Sequence, residues 1–283
     1  MKDLAGKVAV VTGSASGMGF AFANRFAEEG MSVVLADIEA EPLAMAEAAI
    51  KARGARVLAV RTNVLQDGDV EKLADAAFRT FGNVHVVCNN AGVSGTSGKP
   101  VWEAPQEDWD WVFGVNFWGV LRGIRAFVPR MIANGEEGHI VNTASVAGLL
   151  TAADPYSVSK HGVVCLTEGL YKNFKTLNLK LSASVLCPGW VNTNIADAGR
   201  NRPAELGEVT DPASLPAAVQ AGLVAVRGML QNGYQPSEIA QHVLDAIMTD
   251  TFFIIPAQEY IQEAIKTRFD QVLKRENPTT GLF

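Results

Sequence analysis

A tyrosine and a lysine near the middle of the chain have the residue types and the spacing for acid–base chemistry. Tyr156 and Lys160 are four residues apart, and on a helix such residues project from the same face. An ammonium beside a phenol stabilises the phenolate and lowers its pKa from about 10. The pair could then exchange protons near neutral pH, as interconversion of an alcohol and a carbonyl requires. The spacing alone is weak evidence, because such residues are often only surface neighbours.

A glycine-rich turn precedes this pair in the chain. Gly13, Gly17 and Gly19 lie where an apolar, strand-like run gives way to a helical pattern. Glycine in such a turn lets the backbone approach a pyrophosphate closely, and the amino terminus of the helix offers free N–H groups. The turn therefore predicts a dinucleotide phosphate site, with Ser16 and Met18 among its contacts.

An acidic residue follows the second apolar run. A carboxylate at the position of Asp37 can accept hydrogen bonds from ribose hydroxyls and repels a 2′-phosphate. Ile38 comes next, and residues 14–16 offer no Arg or Lys to hold such a phosphate. The sequence therefore favours NAD, with NADP as the less favoured alternative. The competing interpretation is that Asp37 is only a solvated residue at the end of a strand.

Composition restricts the class of protein. The 283 residues are enough for one large α/β domain, which we favour over two small ones, and 48% are apolar while 19% are charged, which excludes a disordered chain. The net charge of −6, without a basic cluster, disfavours nucleic-acid binding. We find no signal region and no apolar stretch long enough for a membrane span. A cytoplasmic protein is therefore expected.

The cysteines and histidines show no pattern typical of metal ligands or disulfides. Cys88, Cys165 and Cys187 are far apart, and the four histidines lack ligand spacing. We therefore expect buried thiols and no metal.

Apolar runs and helical patterns alternate along the chain. Runs of Val, Ile and Leu without alternation are typical of strands covered on both faces. Repeated strand–helix units imply right-handed crossovers. The sequence thus predicts a single Rossmann-type α/β domain over residues 1–283, a doubly wound parallel sheet of about seven strands with helices on both faces. The predicted strands span 7–12, 32–36, 56–61, 84–88, 139–143, 180–186 and 252–256; the predicted helices span 18–29, 42–53, 69–81, 106–133, 155–177, 237–250 and about 257–275.

One long segment, about 190–235, lacks periodicity and is rich in Pro, Gly, Asn and Ala. A loop of this length inside a compact domain is more often functional than accidental. We interpret it as a substrate lid. Trp190, at its start, is as well suited to lining the pocket as to packing, whereas Trp102, Trp109, Trp111 and Trp118 are expected in the core or in an interface.

Several motifs in order give the chain a family resemblance. With residues 12–19, Asn89-Asn-Ala-Gly92, Asn116, Ser145 and Tyr156 with Lys160, the chain resembles the compact short-chain dehydrogenase/reductases over about residues 4–260. The resemblance implies a catalytic group of Asn116, Ser145, Tyr156 and Lys160.

The roles of these residues follow from the resemblance and from their types. Tyr156 would take the hydroxyl proton of the substrate, and Ser145 would donate a hydrogen bond to the substrate oxygen. Lys160 would lower the Tyr156 pKa and hold the ribose. Asn116, at a helix kink, would continue a proton path through a bound water. The alternatives are a strand-end hydroxyl for Ser145 and a residue capping a helix kink for Asn116.

The resemblance also implies further cofactor contacts. The loop that contains Asn90, Ala91 and Gly92 would support the sheet and border the cofactor, and the segment after the sixth strand would touch the nicotinamide carboxamide. The full set of predicted cofactor residues is Gly13, Ser16, Gly17, Met18, Gly19, Asp37, Ile38, Asn63, Val64, Asn90, Ala91, Gly92, Tyr156, Lys160, Pro188, Gly189, Val191 and Thr193. Predicted substrate contacts are Ser145, Tyr156 and Trp190.

Three features depart from the family pattern. The interval from Ser145 to Tyr156 is eleven residues, about two shorter than usual, which leaves the shape of one pocket wall open. Asn63 and Val64 stand where Asp-Val is common, and the Asn63 amide oxygen can still accept a hydrogen bond from adenine. The lid segment 194–203 is longer than in minimal members. Together with residues 127–132, it is similar to the lignin-derived Cα-dehydrogenases.

These observations favour an NAD-dependent dehydrogenase that oxidises a secondary alcohol to a ketone, with a bulky apolar or aromatic small-molecule substrate. An NADPH-dependent carbonyl or ketoacyl reductase is the alternative within enzymes. A non-catalytic dinucleotide sensor is the alternative from another class. The resemblance further implies a homotetramer, or else a dimer, in which the two long helices pack against those of a partner.

Overall fold

The protein is built around one parallel sheet of seven strands in the order β3-β2-β1-β4-β5-β6-β7. The computed structural model describes residues 1–95, 100–207, 213 and 216–279. The strands are β1 (Val8–Thr12), β2 (Ser32–Asp37), β3 (Val57–Arg61), β4 (Val86–Asn89), β5 (Gly138–Thr143), β6 (Leu181–Leu186) and β7 (Phe253–Ile254).

Helices cover both faces of the sheet because the strands are apolar on both faces. In β1, Val8 and Val10 pack in one core layer, and Ala9 and Val11 pack in the other. The first layer is completed by α3, α5 and α6, and the second by α1, α2 and α8. The helices are α1 (Gly17–Glu28), α2 (Ala40–Lys51), α3 (Asp67–Phe81), α4 (Gln106–Phe113), α5 (Gly119–Asn134), α6 (Pro155–Thr176), α7 (Ala217–Gln231), α8 (Pro236–Thr249) and α9 (Glu259–Lys274).

The order of the strands fixes where a ligand can bind. From β1 the chain runs outward through β2 to β3, and it then returns to β4 on the other side of β1. At such a switch point the connections at the carboxyl ends of the two central strands diverge and leave a crevice. The glycine-rich turn after β1 and the Asn-Asn-Ala-Gly segment at the end of β4 meet at this crevice.

The predicted parallel, doubly wound sheet with helices on both faces is confirmed. One predicted helix, 106–133, is interrupted by a π-helical turn at Gly114–Trp118 that separates α4 from α5.

The interpretation of 190–235 as irregular throughout is wrong, because the segment contains 3₁₀ turns at Asn194–Asn201 and Ala204–Leu206 and the helix α7. Residues 208–212, 214 and 215 of the predicted lid lie outside the described residues. The helix α7 was missed because Ala, Val, Leu and Gly make up most of its sequence, with Gln and Arg as its few polar residues. In the described part of the chain, we find no helix with both the length and the apolar character needed to cross a bilayer.

Candidate active site

A cavity of about 1180 Å³ lies at the carboxyl ends of the central strands. Of the residues predicted from the sequence to form a site, only Asn116 is absent from its wall. The others that line it are Gly13, Ser16, Gly17, Met18, Gly19, Asp37, Ile38, Asn63, Val64, Asn90, Ala91, Gly92, Ser145, Tyr156, Lys160, Pro188, Gly189, Trp190, Val191 and Thr193.

The turn between β1 and α1 has room only for glycine at two positions. Gly13 has a φ of +66°, and a Cβ there would lie 2.8 Å from the Cα of Ala91. A Cβ on Gly19 would lie 2.0 Å from the carbonyl oxygen of Gly13. The first turn of α1 carries no acidic side chain, so its N–H groups and the positive end of its dipole face the cavity unopposed. This backbone cradle fits a pyrophosphate.

Asp37 stands at the end of β2 with its carboxylate held by backbone groups. Its Oδ2 accepts from the Ala15 N–H at 2.9 Å, and its Oδ1 accepts from the Glu39 N–H at 3.1 Å. Burial raises the pKa of Asp37, and these two hydrogen bonds oppose that rise. The carboxylate is therefore fixed in orientation and keeps free lone pairs toward the cavity, which suits ribose hydroxyls.

Thr12 joins the glycine turn to the loop after β4. Its Oγ1 accepts from the backbone N–H groups of Asn90 at 2.9 Å and Ala91 at 3.1 Å. The Asn90 side chain returns a hydrogen bond to the Thr12 carbonyl at 3.0 Å. This function of Thr12 was not predicted from the sequence, where its position as the last residue of β1 was the only indication of it.

A buried network of hydrogen-bonded polar side chains supports the loop after β4. Asn89 Nδ2 donates to Asn142 Oδ1 at 2.8 Å, and Asn142 Nδ2 donates to Thr167 Oγ1 at 3.0 Å. A Cβ on Gly123 would lie 2.0 Å from Asn89 Oδ1, so α5 can approach only because this residue is glycine. These hydrogen bonds connect β4, β5 and α6 directly beneath the cavity.

Lys160 is almost completely buried, with 2% of its surface exposed. Its Nζ donates to the Thr143 carbonyl at 2.9 Å and lies 5.6 Å from the centre of the Tyr156 ring. Burial lowers the pKa of Lys160 to about 8. An ammonium is still the main form at neutral pH, but it is held in a costly environment.

Tyr156 faces the cavity from the first turn of α6. Burial raises its pKa above the usual value of 10.0, and a hydrogen bond with the Ser145 side chain opposes that rise. The expectation that Lys160 lowers this pKa is therefore wrong for the arrangement seen here. The Nζ of Lys160 is directed at the Thr143 carbonyl, and the loss of water around the phenol is the main cause of the raised pKa.

The short interval between Ser145 and Tyr156 is accommodated by a tight turn. Ser145 Oγ accepts from the Ala147 N–H at 3.2 Å and begins the 3₁₀ turn Val146–Gly148. This turn packs directly on α6, since a Cβ on Gly148 would lie 2.7 Å from the Lys160 carbonyl oxygen. His161 Nδ1 binds the Gly148 carbonyl at 2.8 Å, which is a structural contact.

The start of α6 fixes the position of Tyr156. Asp154 caps the helix by accepting from the Ser157 N–H at 2.9 Å, and Pro155 occupies the first turn. Lys160, one turn later, then lies behind the Tyr156 ring.

Asn116 acts on the site from outside the cavity. It is fully buried in the π-helical turn, where its Oδ1 accepts from the Val93 N–H and its Nδ2 donates to the Val93 carbonyl, each at 2.9 Å. Its Nδ2 also contacts Ser159 Oγ at 3.2 Å. The side chain therefore holds the loop after β4 in place, and these hydrogen bonds join it to Val93 and Ser159 rather than to Lys160.

A family model described as short chain dehydrogenase matches residues 7–203. The chain belongs to the short-chain dehydrogenase family. It is 41% identical over 220 residues to the 1-deoxy-11-beta-hydroxypentalenate dehydrogenase of Streptomyces exfoliatus, covering 77% of this chain and 78% of the relative.

Two further relatives cover nearly all of this dehydrogenase. The C alpha-dehydrogenase of Sphingobium sp. strain SYK-6 is 31% identical over 281 residues, or 98% of this chain and 89% of the relative. The crystal structure of a short chain dehydrogenase/reductase from Burkholderia phymatum, solved in complex with NAD, is 41% identical with a TM-score of 0.93 and covers 100% of both chains.

Two tryptophans form part of the cavity wall of this dehydrogenase. Trp190 lines the cavity, and its Nε1 donates to the Tyr260 hydroxyl at 2.8 Å, so α9 supports it. Trp111 was expected only in the core or an interface. It is buried, but it lines the cavity as well.

The segment after β6 is attached to the rest of the dehydrogenase by ion pairs. Arg200 binds Glu39 at the start of α2, and Arg202 forms a buried pair with Asp108 of α4. Within the segment that covers the cavity, Arg227 of α7 binds Asp197 at 2.8 Å. Sequence reasoning could not find these pairs, because Arg200 and Glu39, for example, are 161 residues apart.

Proposed function

We propose that the protein is an NAD-dependent dehydrogenase that oxidises a secondary alcohol to a ketone in a reversible reaction. The observation that carries this proposal is the meeting of Ser145, Tyr156 and Lys160 with the glycine cradle and Asp37 on one cavity. An acid–base group, a hydrogen-bond donor for an oxygen and a dinucleotide cradle are the components that this chemistry needs.

The chain's own residues would move the proton and hold the oxygen. Bound NAD would supply the hydride acceptor. Ser145 would hold the substrate oxygen through its hydroxyl, and Tyr156 would take the hydroxyl proton during oxidation and return it during reduction. Lys160 would hold the ribose and favour the phenolate once Tyr156 is deprotonated. Asn116 would keep the loop at Gly92 and Val93 in place against the cofactor.

The choice of NAD over NADP rests on Asp37. A fixed carboxylate at the ribose end accepts from two hydroxyls and repels a phosphate on one of them. The Burkholderia phymatum relative, solved with NAD, supports this assignment. The alternative is an NADPH-dependent carbonyl reductase, and tighter binding of NADPH than of NADH would favour it.

The lining of the cavity supports a bulky, apolar or aromatic substrate. The wall away from the glycine turn includes Trp111, Val115, Leu150, Trp190 and Leu230. The guanidinium groups described on this wall, those of Arg200 and Arg227, are each paired with a carboxylate. A carboxylate on a substrate would therefore have to break an existing pair. The names of the hydroxypentalenate dehydrogenase and the C alpha-dehydrogenase among the relatives support oxidation of an alcohol.

A substrate panel tests the proposal. Secondary alcohols of aryl, steroid and aliphatic types are incubated with NAD or NADP, and NAD(P)H formation is followed by absorbance. We expect turnover with NAD and a bulky aryl or polycyclic alcohol, and little with a matched alcohol that carries a carboxylate. Tight NADH binding without turnover of any alcohol or ketone would instead favour the sensor alternative.

We also propose that the protein forms a homotetramer through α5 and α6. The support is a row of side chains on the outer face of α6, where Val158, His161, Cys165, Gly169 and Lys172 follow one another at helical spacing. Val158, at 41% exposed, and Trp118, at 47% exposed beside α5, are apolar groups on this side.

A further inference from the structure

The pair formed by Arg200 and Glu39 lies where the adenosine half of a dinucleotide would end. Glu39 follows Asp37 by two residues, and both line the cavity. Arg200 comes from the 3₁₀ turn Asn194–Asn201 of the segment after β6. The cavity wall thus brings a guanidinium to the same end of the site as the Asp37 carboxylate.

All three guanidinium nitrogens of Arg200 donate hydrogen bonds. Its Nε donates to Glu39 Oε1 at 2.9 Å, and its Nη2 donates to Glu39 Oε2 at 2.8 Å, which is a bidentate pair. Its Nη1 donates to the Asp197 carbonyl at 2.9 Å. The Glu39 carboxylate therefore determines the direction in which the guanidinium points.

The space beside this pair is basic. A smaller cavity of about 330 Å³ adjoins Ile38 and Glu39 and is also lined by Arg61 and Arg200. Arg61 Nε donates to the Ile38 carbonyl at 3.2 Å, so its guanidinium is held near the same point. Enzymes that use NADP accommodate the 2′-phosphate with an arginine near this end of the site. A potential phosphate ligand is therefore present here but is bound to Glu39.

We infer that Glu39 is a specificity-determining residue, which excludes NADP by holding the Arg200 guanidinium in a bidentate pair. The inference rests on the proposed function and adds to the established reasoning on Asp37. Asp37 repels the 2′-phosphate directly, whereas Glu39 acts by withholding the cation that could bind it.

The test measures binding of NADH and NADPH by the change in their fluorescence, with calorimetric titration of ADP and adenosine 2′,5′-bisphosphate as a second readout independent of turnover. The variants are Glu39→Gln and Glu39→Ala, and both remove the carboxylate that binds Arg200. Glu39→Ala is used if Glu39→Gln folds poorly. Glu41→Gln is the matched control. Glu41 lies in the first turn of α2, close to the N-cap Glu39, and its replacement removes the same charge.

We expect the NADH dissociation constant divided by the NADPH dissociation constant to rise by about tenfold in Glu39→Gln. This is the size of the effect of one charge-assisted hydrogen bond. Glu41→Gln should leave the ratio nearly unchanged. The double variant Glu39→Gln/Arg200→Gln should lose the gain, because the released guanidinium is the group that binds the phosphate.

Two outcomes would overturn the inference. One is an unchanged ratio in both Glu39 variants, and the other is a gain that persists in the double variant, which would mean simple repulsion by Glu39. Failure of the proposed function is a distinct result, because it would be seen in the wild-type protein itself, either as tighter binding of NADPH than of NADH or as dinucleotide binding without turnover of any alcohol or ketone.

Discussion

At the scale of single residues, the site combines two groups whose burial favours their neutral forms. The pKa of Lys160 is lowered to about 8, and that of Tyr156 is raised, in both cases mainly by loss of water. Each ionised form is therefore costly in this environment, and each is stabilised when the other is charged.

Replacement of the Tyr156 hydroxyl tests this residue directly. In Tyr156→Phe we expect kcat to fall by about 10²–10⁴-fold, the usual contribution of general acid–base catalysis. NADH binding should be retained, since the ring and its packing remain. Steady-state turnover and a fluorescence titration measure the two effects separately. A variant that turns over as fast as the wild type would exclude Tyr156 as the acid–base group.

The buried lysine predicts a particular dependence of stability on pH. The folded-state pKa of about 8 lies below the ordinary lysine value of 10.5, so the folded protein binds fewer protons than the unfolded chain between these two pH values. The penalty from Lys160 is thus complete below pH 8 and declines as the pH rises toward 10.5. In Lys160→Met, denaturant unfolding should show a stability gain at pH 7 of up to about 3 kcal/mol.

The gain in Lys160→Met should become smaller as the pH is raised above 8. The lost hydrogen bond to Thr143 lowers the gain by a similar amount at every pH, so the slope is the diagnostic quantity. A difference in stability between the two proteins that stays constant with pH would show that the pKa of Lys160 is not shifted.

At the scale of secondary-structure elements, the segment after β6 is held over the cavity by a buried ion pair and its hydrogen bonds, which we call the latch. Arg202 pairs with Asp108 of α4, with side chains only 5% and 7% exposed, and it donates to the Leu206 carbonyl at 2.7 Å. Its guanidinium also lies 5.4 Å from the centre of the Trp111 ring. The latch therefore links the 3₁₀ turn Ala204–Leu206 to a helix that lines the cavity.

Removal of the carboxylate should release this latch. Asp108→Asn leaves a buried guanidinium without its counter-ion, and breaking such pairs costs about 3–5 kcal/mol when the structure cannot adjust. Local opening of the segment relieves that cost, so we expect a higher KM with a smaller change in kcat. Steady-state kinetics with Asp110→Asn as control tests this, because Asp110 lies on the exposed side of the same helix. Equal KM values in the two variants would contradict the prediction.

At the scale of the whole molecule, local sequence determined the sheet and most of the site, but not the contacts across the cavity. The strands could be predicted because their Val, Ile and Leu runs are buried on both faces. The positions of Tyr156, Ser145 and Asp37 followed from short motifs at the ends of elements. The pairs Arg200–Glu39 and Arg202–Asp108 could not be predicted, because they join distant parts of the chain, and their geometry depends on how the segment after β6 folds.

The proposed tetramer makes a prediction about the outer face of α6. Cys165 is the exposed cysteine in this row of residues, whereas Cys88 and Cys187 are buried. Packing of α6 against a partner would cover Cys165, so its reaction with a thiol reagent should slow as protein concentration rises and the assembly forms. Cys165→Glu would bury a charge in that contact, and sedimentation should then show dimers or monomers.

Met45→Glu is the matched control, since Met45 is 73% exposed on α2, away from this face. It should leave the mass of the assembly unchanged. A tetramer that persists in Cys165→Glu would place the contact on another surface of the molecule, and a monomeric wild-type protein would refute the assembly itself.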